Sequence, residues 1–264
     1  MIQFARLDPK LLSTEPYKWA FIDGLFEPQD AAALAATFPH DNFKTVRGYD
    51  GEKGYAYEAR SLIGMGEDAP SHVEYLSPSW RRLADDLLSP SYRAAMARLV
   101  GHELDLLLME ANVFHYGSGA WLGPHVDHKE KLLTHVLYFN ETWDMNDGGC
   151  LTIMRSSDVA SKVSQVAPVV GNSVTIVRSG KSWHAVSPVV TRCQHSRRSL
   201  TVGFHRPGSV STLWPTGDKT LLHQYDGTTH DEPTNGMPGL MRRLRRRATY
   251  LIRATAKERL RSTK

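Results

Sequence analysis

In Pro124-His125-Val126-Asp127 an imidazole and a carboxylate stand two positions apart. Residues i and i+2 of a strand point to the same face, so His125 and Asp127 can present both donors side by side. A second imidazole from a distant strand would complete a two-histidine, one-carboxylate face, leaving three adjacent positions of an octahedral Fe(II) open to exchangeable ligands. Of the twelve histidines, His184 in Lys181-Ser182-Trp183-His184-Ala185-Val186 is best placed for this, 59 residues downstream. Thirteen residues later comes Arg197-Arg198-Ser199-Leu200-Thr201. On that strand Arg198, Leu200, Val202 and Phe204 suit packing beneath helices, which turns Arg197, Ser199 and Thr201 toward the interior. A buried guanidinium needs a partner, and a carboxylate of a small diacid would supply a bidentate one.

These residues need strands to carry them. From residue 104 onward LDLLLMEANVFHY, THVLYFN, CLTIM, SVTIV and SLTVGF are short apolar or alternating runs, separated by turn clusters such as GSG, NDGG, GNS and RSGKS. They predict an antiparallel β-core. Ahead of them, residues 16–26 read as a short strand, and Pro28 opens a helix. The runs SPSWRRLADDLL and SPSYRAAMARLV each begin with a serine cap and a proline in the first turn. Residues 44–60 read as a polar, glycine-containing loop, which makes the first hundred residues mainly helical. The fold class expected is α+β: a double-stranded β-helix, or jelly roll, with N-terminal helices packed on one face and a basic helix at the C-terminus. The chain reads as one domain over 1–264, with a helical support region over 1–103, the core over 104–206 and an extension over 207–264.

With 264 residues, 41% hydrophobic and 23% charged, the chain falls outside the disordered, collagenous and mucin-like classes. Two cysteines are too few for a disulfide scaffold, and no run approaches the roughly 18 apolar residues of a membrane span. A cytoplasmic setting without a membrane partner is expected. The net charge of +4 is uneven: residues 242–264 carry ten Lys and Arg against one acid, so the remainder is net acidic. Leu240, Leu244, Ala248, Leu251 and Thr255 recur at helical spacing there, predicting a helix with an arginine-rich outer face. A solvated helix docked on the body is expected, with no nucleic-acid partner. The alternative from another class is a non-catalytic barrel whose basic tail binds nucleic acid or an acidic partner. The sequence does not define an oligomeric state.

The ordered set HxD, DGG turn, distal histidine and Arg-x-Ser resembles the Fe(II)/2-oxoglutarate oxygenases, in the branch similar to prolyl 4-hydroxylases, over about residues 104–206. Tyr116 with its glycine-rich approach to His125, Thr134 and Tyr138 in THVLYFN, and Trp143-Asp144 ahead of Asp147-Gly148-Gly149 add to the likeness. The resemblance implies a dioxygenase in which His125, Asp127 and His184 hold Fe(II) and O2 is consumed. It further implies that the distal carboxylate of 2-oxoglutarate pairs with Arg197, helped by hydroxyls of Thr134, Tyr138 or Ser199, with Tyr116 beside them. Arg198 stays open as the alternative. Asp127 itself implies oxygenation and not halogenation, since halogenating relatives carry a small residue there.

The run Arg206-Pro207-Gly208-Ser209-Val210-Ser211-Thr212-Leu213-Trp214-Pro215, with Gly217-Asp218 and His223-Gln224-Tyr225 beyond it, is similar to oxygenases of orthosomycin antibiotic pathways. That likeness implies a small-molecule substrate, an aminoglycoside or oligosaccharide, closed oxidatively to an orthoester or methylenedioxy bridge. Hydroxylation of a protein prolyl side chain or a free amino acid is the alternative. Trp214 and Tyr225 would either stack on a sugar or close the barrel bottom. Asn112 would face the site or sit as a satisfied core amide, and His115 and His135 are expected to be structural.

Overall fold

The structure, a computed structural model, describes residues 1–49, 54–190, 192–193 and 195–225. The helix expected over 242–264 lies outside them. Three helices form where proline stands in the first turn, preceded by a serine cap in the last two: α1 Pro28–Ala36, α2 Pro78–Leu88 and α3 Pro90–Val100. The Ser77 hydroxyl accepts from the Trp80 N–H at 3.3 Å and the Ser89 hydroxyl from the Tyr92 N–H at 3.1 Å, each satisfying a donor that has no partner within its helix. Gly101 ends α3 in a left-handed conformation (φ 68°), which a residue without Cβ adopts without strain.

The strands are β1 Trp19–Ile22, β2 Lys44–Tyr49, β3 Gly54–Ile63, β4 Leu108–Tyr116, β5 Trp121–His125, β6 Lys131–Tyr138, β7 Leu151–Met154, β8 Lys162–Val166, β9 Ser173–Val177, β10 His184–Val186 and β11 Arg197–His205. They hydrogen-bond in the order β1-β9-β6-β11-β4-β3-β5-β10-β7-β8, with β2 paired to β3. All the pairings are antiparallel. The sheet curls because β3 bonds to β4 along one stretch and to β5 at Tyr55 and Ala56. This is a jelly-roll-type α+β fold, as the alternating runs predict.

One expectation is corrected. Residues 44–49 and 54–60 are not loop: β2 and β3 pair antiparallel, registered from Lys44 opposite Ala59 to Tyr49 opposite Gly54. The first hundred residues therefore mix helices with sheet. Polarity conceals the hairpin because Lys44, Glu58 and Arg60 are buried with ion partners from other segments. The alternation in Tyr55-Ala56-Tyr57-Glu58-Ala59 and the Asp50-Gly51 dipeptide were the usable signals.

Alternation divides the core strands between two environments. Met109, Ala111 and Val113 of β4, Leu133 and Leu137 of β6, and Leu200, Val202 and Phe204 of β11 share one buried cluster with Trp80, Leu83 and Leu87 of α2 and Tyr92, Met96 and Leu99 of α3. The intervening residues Tyr116, Val136 and Tyr138 face inward and pack with Leu151, Ile153, Val174, Ile176 and Val186. The register Tyr116↔Arg197 and Ser199↔Tyr138 sets Arg197 and Ser199 on that inner face.

Candidate active site

His125 is the last residue of β5 and His184 the first of β10, and the two are direct partners across the strand pair. Their rings lie 4.2 Å apart between centroids. The strand stops at His125, so Asp127 comes from the following turn and not from a continued strand face, yet it meets both rings. Asp127 Oδ1 is 3.9 Å from His125 Nε2, and Oδ2 is 3.9 Å from His184 Nε2. Ligand atoms of the three residues lie within 4.8 Å of one another, a set able to hold a metal ion.

The imidazoles are aimed by their far nitrogens. His125 Nδ1 is 2.9 Å from the Gly123 carbonyl and His184 Nδ1 2.9 Å from the Ser182 carbonyl. A carbonyl only accepts, so each Nδ1 carries the proton and each Nε2 keeps its lone pair for the cluster. Asp127 is held as firmly: Thr134 Oγ1 donates to Oδ2 at 2.7 Å, Lys131 Nζ approaches Oδ1 at 3.4 Å, and Arg178 Nε donates to the Asp127 carbonyl at 3.3 Å. Burial raises the Asp127 pKa, but Lys131, His184, His125 and the Thr134 hydroxyl outweigh it and hold the carboxyl well below its usual range. Tyr17 donates to the Trp183 carbonyl at 2.7 Å, bracing the approach to His184. Neither Lys131 nor Tyr17 was singled out from sequence, because nothing local marks them.

Arg197 lies deeper on the same inner face, 2% exposed. Its Nη1 donates to Ser199 Oγ at 2.6 Å, and its guanidinium lies 4.8 Å from the Tyr116 ring centroid and 5.3 Å from that of Tyr138. Arg197 Nε and the Tyr138 hydroxyl are buried without a hydrogen-bond partner. Burial pushes the Tyr116 phenol up to about 12 and the Tyr138 phenol higher still, with the Arg197 charge opposing both, so both phenols stay protonated. Both are donors that an anionic oxygen would satisfy.

Arg198 turns the other way, over the Phe38 ring at 5.7 Å and toward the Ala35 carbonyl at 3.4 Å. Thr134, expected near Arg197, instead binds Asp127. Asn112 accepts from Trp214 Nε1 at 2.7 Å, and Lys44 Nζ lies 4.1 Å from the centroid of that indole, so Trp214 is on the inner wall. Tyr225 stacks on His115 at 3.7 Å within the outer core and so closes the barrel wall, not the site. His115 is bonded to Ser196 and the Pro39 carbonyl and His135 to Tyr92, both structural as expected.

Residues 111–205 match the family model of the 2OG-Fe(II) oxygenase superfamily. Residues 111–205 therefore carry the domain of an Fe(II)- and 2-oxoglutarate-dependent dioxygenase, an oxidoreductase using Fe(II), 2-oxoglutarate and O2. Among solved structures it is similar to a prolyl-4-hydroxylase from Pseudomonas putida, with 22% identity, 75% of this chain and 98% of that chain covered, and a TM-score of 0.52. A prolyl hydroxylase from Trichoplax adhaerens, in complex with a hypoxia inducible factor peptide fragment, shares 15% identity over 75% of this chain and 88% of its own, with a TM-score of 0.51. AviO1 from Streptomyces viridochromogenes Tue57 shares 11% identity over 78% and 96%, with a TM-score of 0.50. At these identities the likeness is one of fold. No curated protein matches the chain. Among the described residues, no helix is long and apolar enough to cross a membrane.

Proposed function

We propose that His125, Asp127 and His184 are the Fe(II) ligands and that Arg197 is the anchor for the distal carboxylate of 2-oxoglutarate. The observation that carries this reading is a nitrogen and oxygen donor set with both imidazoles held by Nδ1, on the same inner face as a buried guanidinium that has no anion partner among the described residues. Fe(II) with 2-oxoglutarate and O2 supplies oxidising power that no side chain has. The protein's residues orient and exclude. Thr134 and Lys131 fix the Asp127 carboxylate, Ser199 holds one arm of Arg197, and the Tyr138 hydroxyl and Arg197 Nε are free to donate to the carboxylate. Tyr116 and Tyr138 wall that end of the barrel against water. Arg198 has no part in the site, because it packs on the helix side.

The substrate is a small molecule, by this reading a sugar-containing intermediate such as an aminoglycoside or oligosaccharide, oxidised at a C–H bond and closed onto a neighbouring hydroxyl. The likeness of residues 206–225 to orthosomycin-pathway oxygenases supports it, as does Trp214 on the inner wall. Hydroxylation of a prolyl side chain is the alternative, and the fold suits it equally.

The test is an anaerobic titration of purified protein with Fe(II) and 2-oxoglutarate, following the visible charge-transfer band of the chelate, with Asp127→Ala as control. A saturable band absent from the control is expected; no band from folded protein overturns the metal site. Succinate release is then compared between aminoglycosides and prolyl peptides. Stimulation by peptides alone overturns the sugar reading.

A further inference from the structure

Five charged side chains among the described residues are buried outright: Lys44, Glu58, Arg60, Glu110 and Arg197. Three have an ionic partner. Lys44 Nζ is 2.5 Å from Asp218 Oδ2, Arg60 Nε is 3.2 Å from Asp41 Oδ1, and Glu58 Oε2 is 3.0 Å from His223 Nε2. Arg197 has none, and the distal carboxylate of 2-oxoglutarate accounts for it in the reading above. Glu110 also has none. It is 8% exposed, and its one hydrogen-bond partner among the described residues is the Ser211 hydroxyl, at 2.5 Å. Burying a carboxylate without a counter-charge is costly enough that acidic residues are almost never found so unless paired.

Its position says what the missing partner is. Glu110 is opposite Gly203, and Gly203 is opposite Thr134, the residue that binds Asp127. Directly opposed residues of antiparallel strands share a face, so Glu110 stands on the inner wall about 10 Å from Thr134, two strand spacings away. The gap over Gly203 is filled by the His205 ring and the Lys131 stem, since a Cβ there would come within 2.6 Å of His205 Nε2 and 3.3 Å of Lys131 Cε. Lys131 reaches over this gap but spends its charge on Asp127. Arg197 is six residues along β11 from Gly203, about 20 Å away, so neither it nor the diacid it would bind can neutralise Glu110.

We infer that Glu110 is a specificity-determining residue that binds a protonated amine of the substrate beside the metal site. The inference rests on the oxygenase reading and narrows its substrate class to an amino-substituted, polyhydroxylated molecule. The segment after β11 frames the subsite. Ser211 Oγ donates to Glu110 and accepts from the Trp214 N–H at 2.9 Å, and the half-buried Trp214 indole is pinned to Asn112. An indole beside a carboxylate offers an apolar surface for sugar C–H groups and an anion for an ammonium. The oxygen of Glu110 that Ser211 does not use is the one available to the amine.

The test is calorimetric titration of the full chain with neamine, a polyamino pseudodisaccharide, and with its per-N-acetylated form, under argon. Each titration is done with and without Mn(II) and 2-oxoglutarate. The amine is expected to bind at least tenfold more tightly than the acetylated form. Glu110→Gln, which still accepts from Ser211, abolishes that preference without lowering Tm or weakening 2-oxoglutarate binding. Ser211→Ala, which keeps the charge, retains the preference. Preference surviving in Glu110→Gln, lost equally in Ser211→Ala, or absent from the unaltered protein, including no binding of either saccharide, overturns the subsite. Failure of Mn(II) and 2-oxoglutarate to bind overturns the oxygenase reading separately, while the Glu110 dependence is still read in metal-free protein.

Discussion

The inner and outer faces of β4, β6 and β11 are built by the same alternating residues, yet they differ in how far their buried charges find partners. On the outer face His135 Nε2 and Arg198 Nε are also buried without a hydrogen-bond partner among the described residues, but each of these polar side chains makes at least one other bond within the protein. His115 uses both ring nitrogens, His135 meets Tyr92 at 2.9 Å, and Trp80 donates to the Leu34 carbonyl at 3.1 Å. On the inner face Arg197 Nε, the Tyr138 hydroxyl and His205 Nε2 have no hydrogen-bond partner among the described residues, and neither Arg197 nor Glu110 has a counter-charge among them. A fold gains nothing from orphaned donors and acceptors in a dry interior. Where a buried guanidinium and a buried carboxylate both lack a counter-charge beside two imidazoles and a carboxylate, they mark space kept for ligands; the outer face is where the same sheet obtains its stability.

That contrast can be broken by substitutions that should separate function from folding. Asp127→Ala on the inner side should abolish metal-dependent succinate formation while Tm stays within a few degrees, as read by a coupled succinate assay and calorimetry. Trp80→Ala on the outer side should do the reverse, costing about 3–5 kcal/mol through cavity formation while the folded fraction still binds metal, as measured by urea denaturation. A large stability loss in the first variant, or none in the second, would erase the division.

Adjacent arginines sharpen it. Arg197→Leu removes a charge-assisted anchor of about 1.5–3 kcal/mol, so the 2-oxoglutarate Kd should rise about 10- to 100-fold. Arg198→Leu, one residue further on, should leave that Kd within about twofold and act on stability instead. Equal effects would mean that the facing of β11 does not decide the role.

The smallest effect expected is a change in slope. Burial lowers the His135 pKa from 6.5 to about 3. Between those values the unfolded chain holds a proton that the folded protein does not, so stability falls as pH drops from about 6.5 toward 3. Each such histidine contributes about 1.4 kcal/mol per pH unit. His115, well below its ordinary value, and His205, lowered to about 4, add to it. In His135→Gln the dependence of unfolding free energy on pH between 4.5 and 6 should flatten by one histidine's worth; an unchanged slope would show that His135 titrates normally.

Much of this arrangement is legible in the chain itself. Serine followed by proline marks the starts of α2 and α3 because capping is a matter of adjacent atoms. Alternation places Arg197 inward and Arg198 outward because successive side chains of a strand leave opposite faces. The hairpin of β2 and β3 escaped that reading. Lys44, Glu58 and Arg60 look like loop residues until Asp218, His223 and Asp41 reach them, the first two from more than 160 residues away.

By itself, then, the sequence determined the three helices, most of the core strands, the two faces, and the residue types able to hold a metal and a dicarboxylate, all consequences of dihedral preference and period. Only the tertiary structure decided that Asp127 meets both histidines from a turn, that Thr134 serves Asp127 instead of Arg197, and that Glu110 is left without a counter-charge. Partners of charge depend on which distant segments cross, and local spacing carries no record of that.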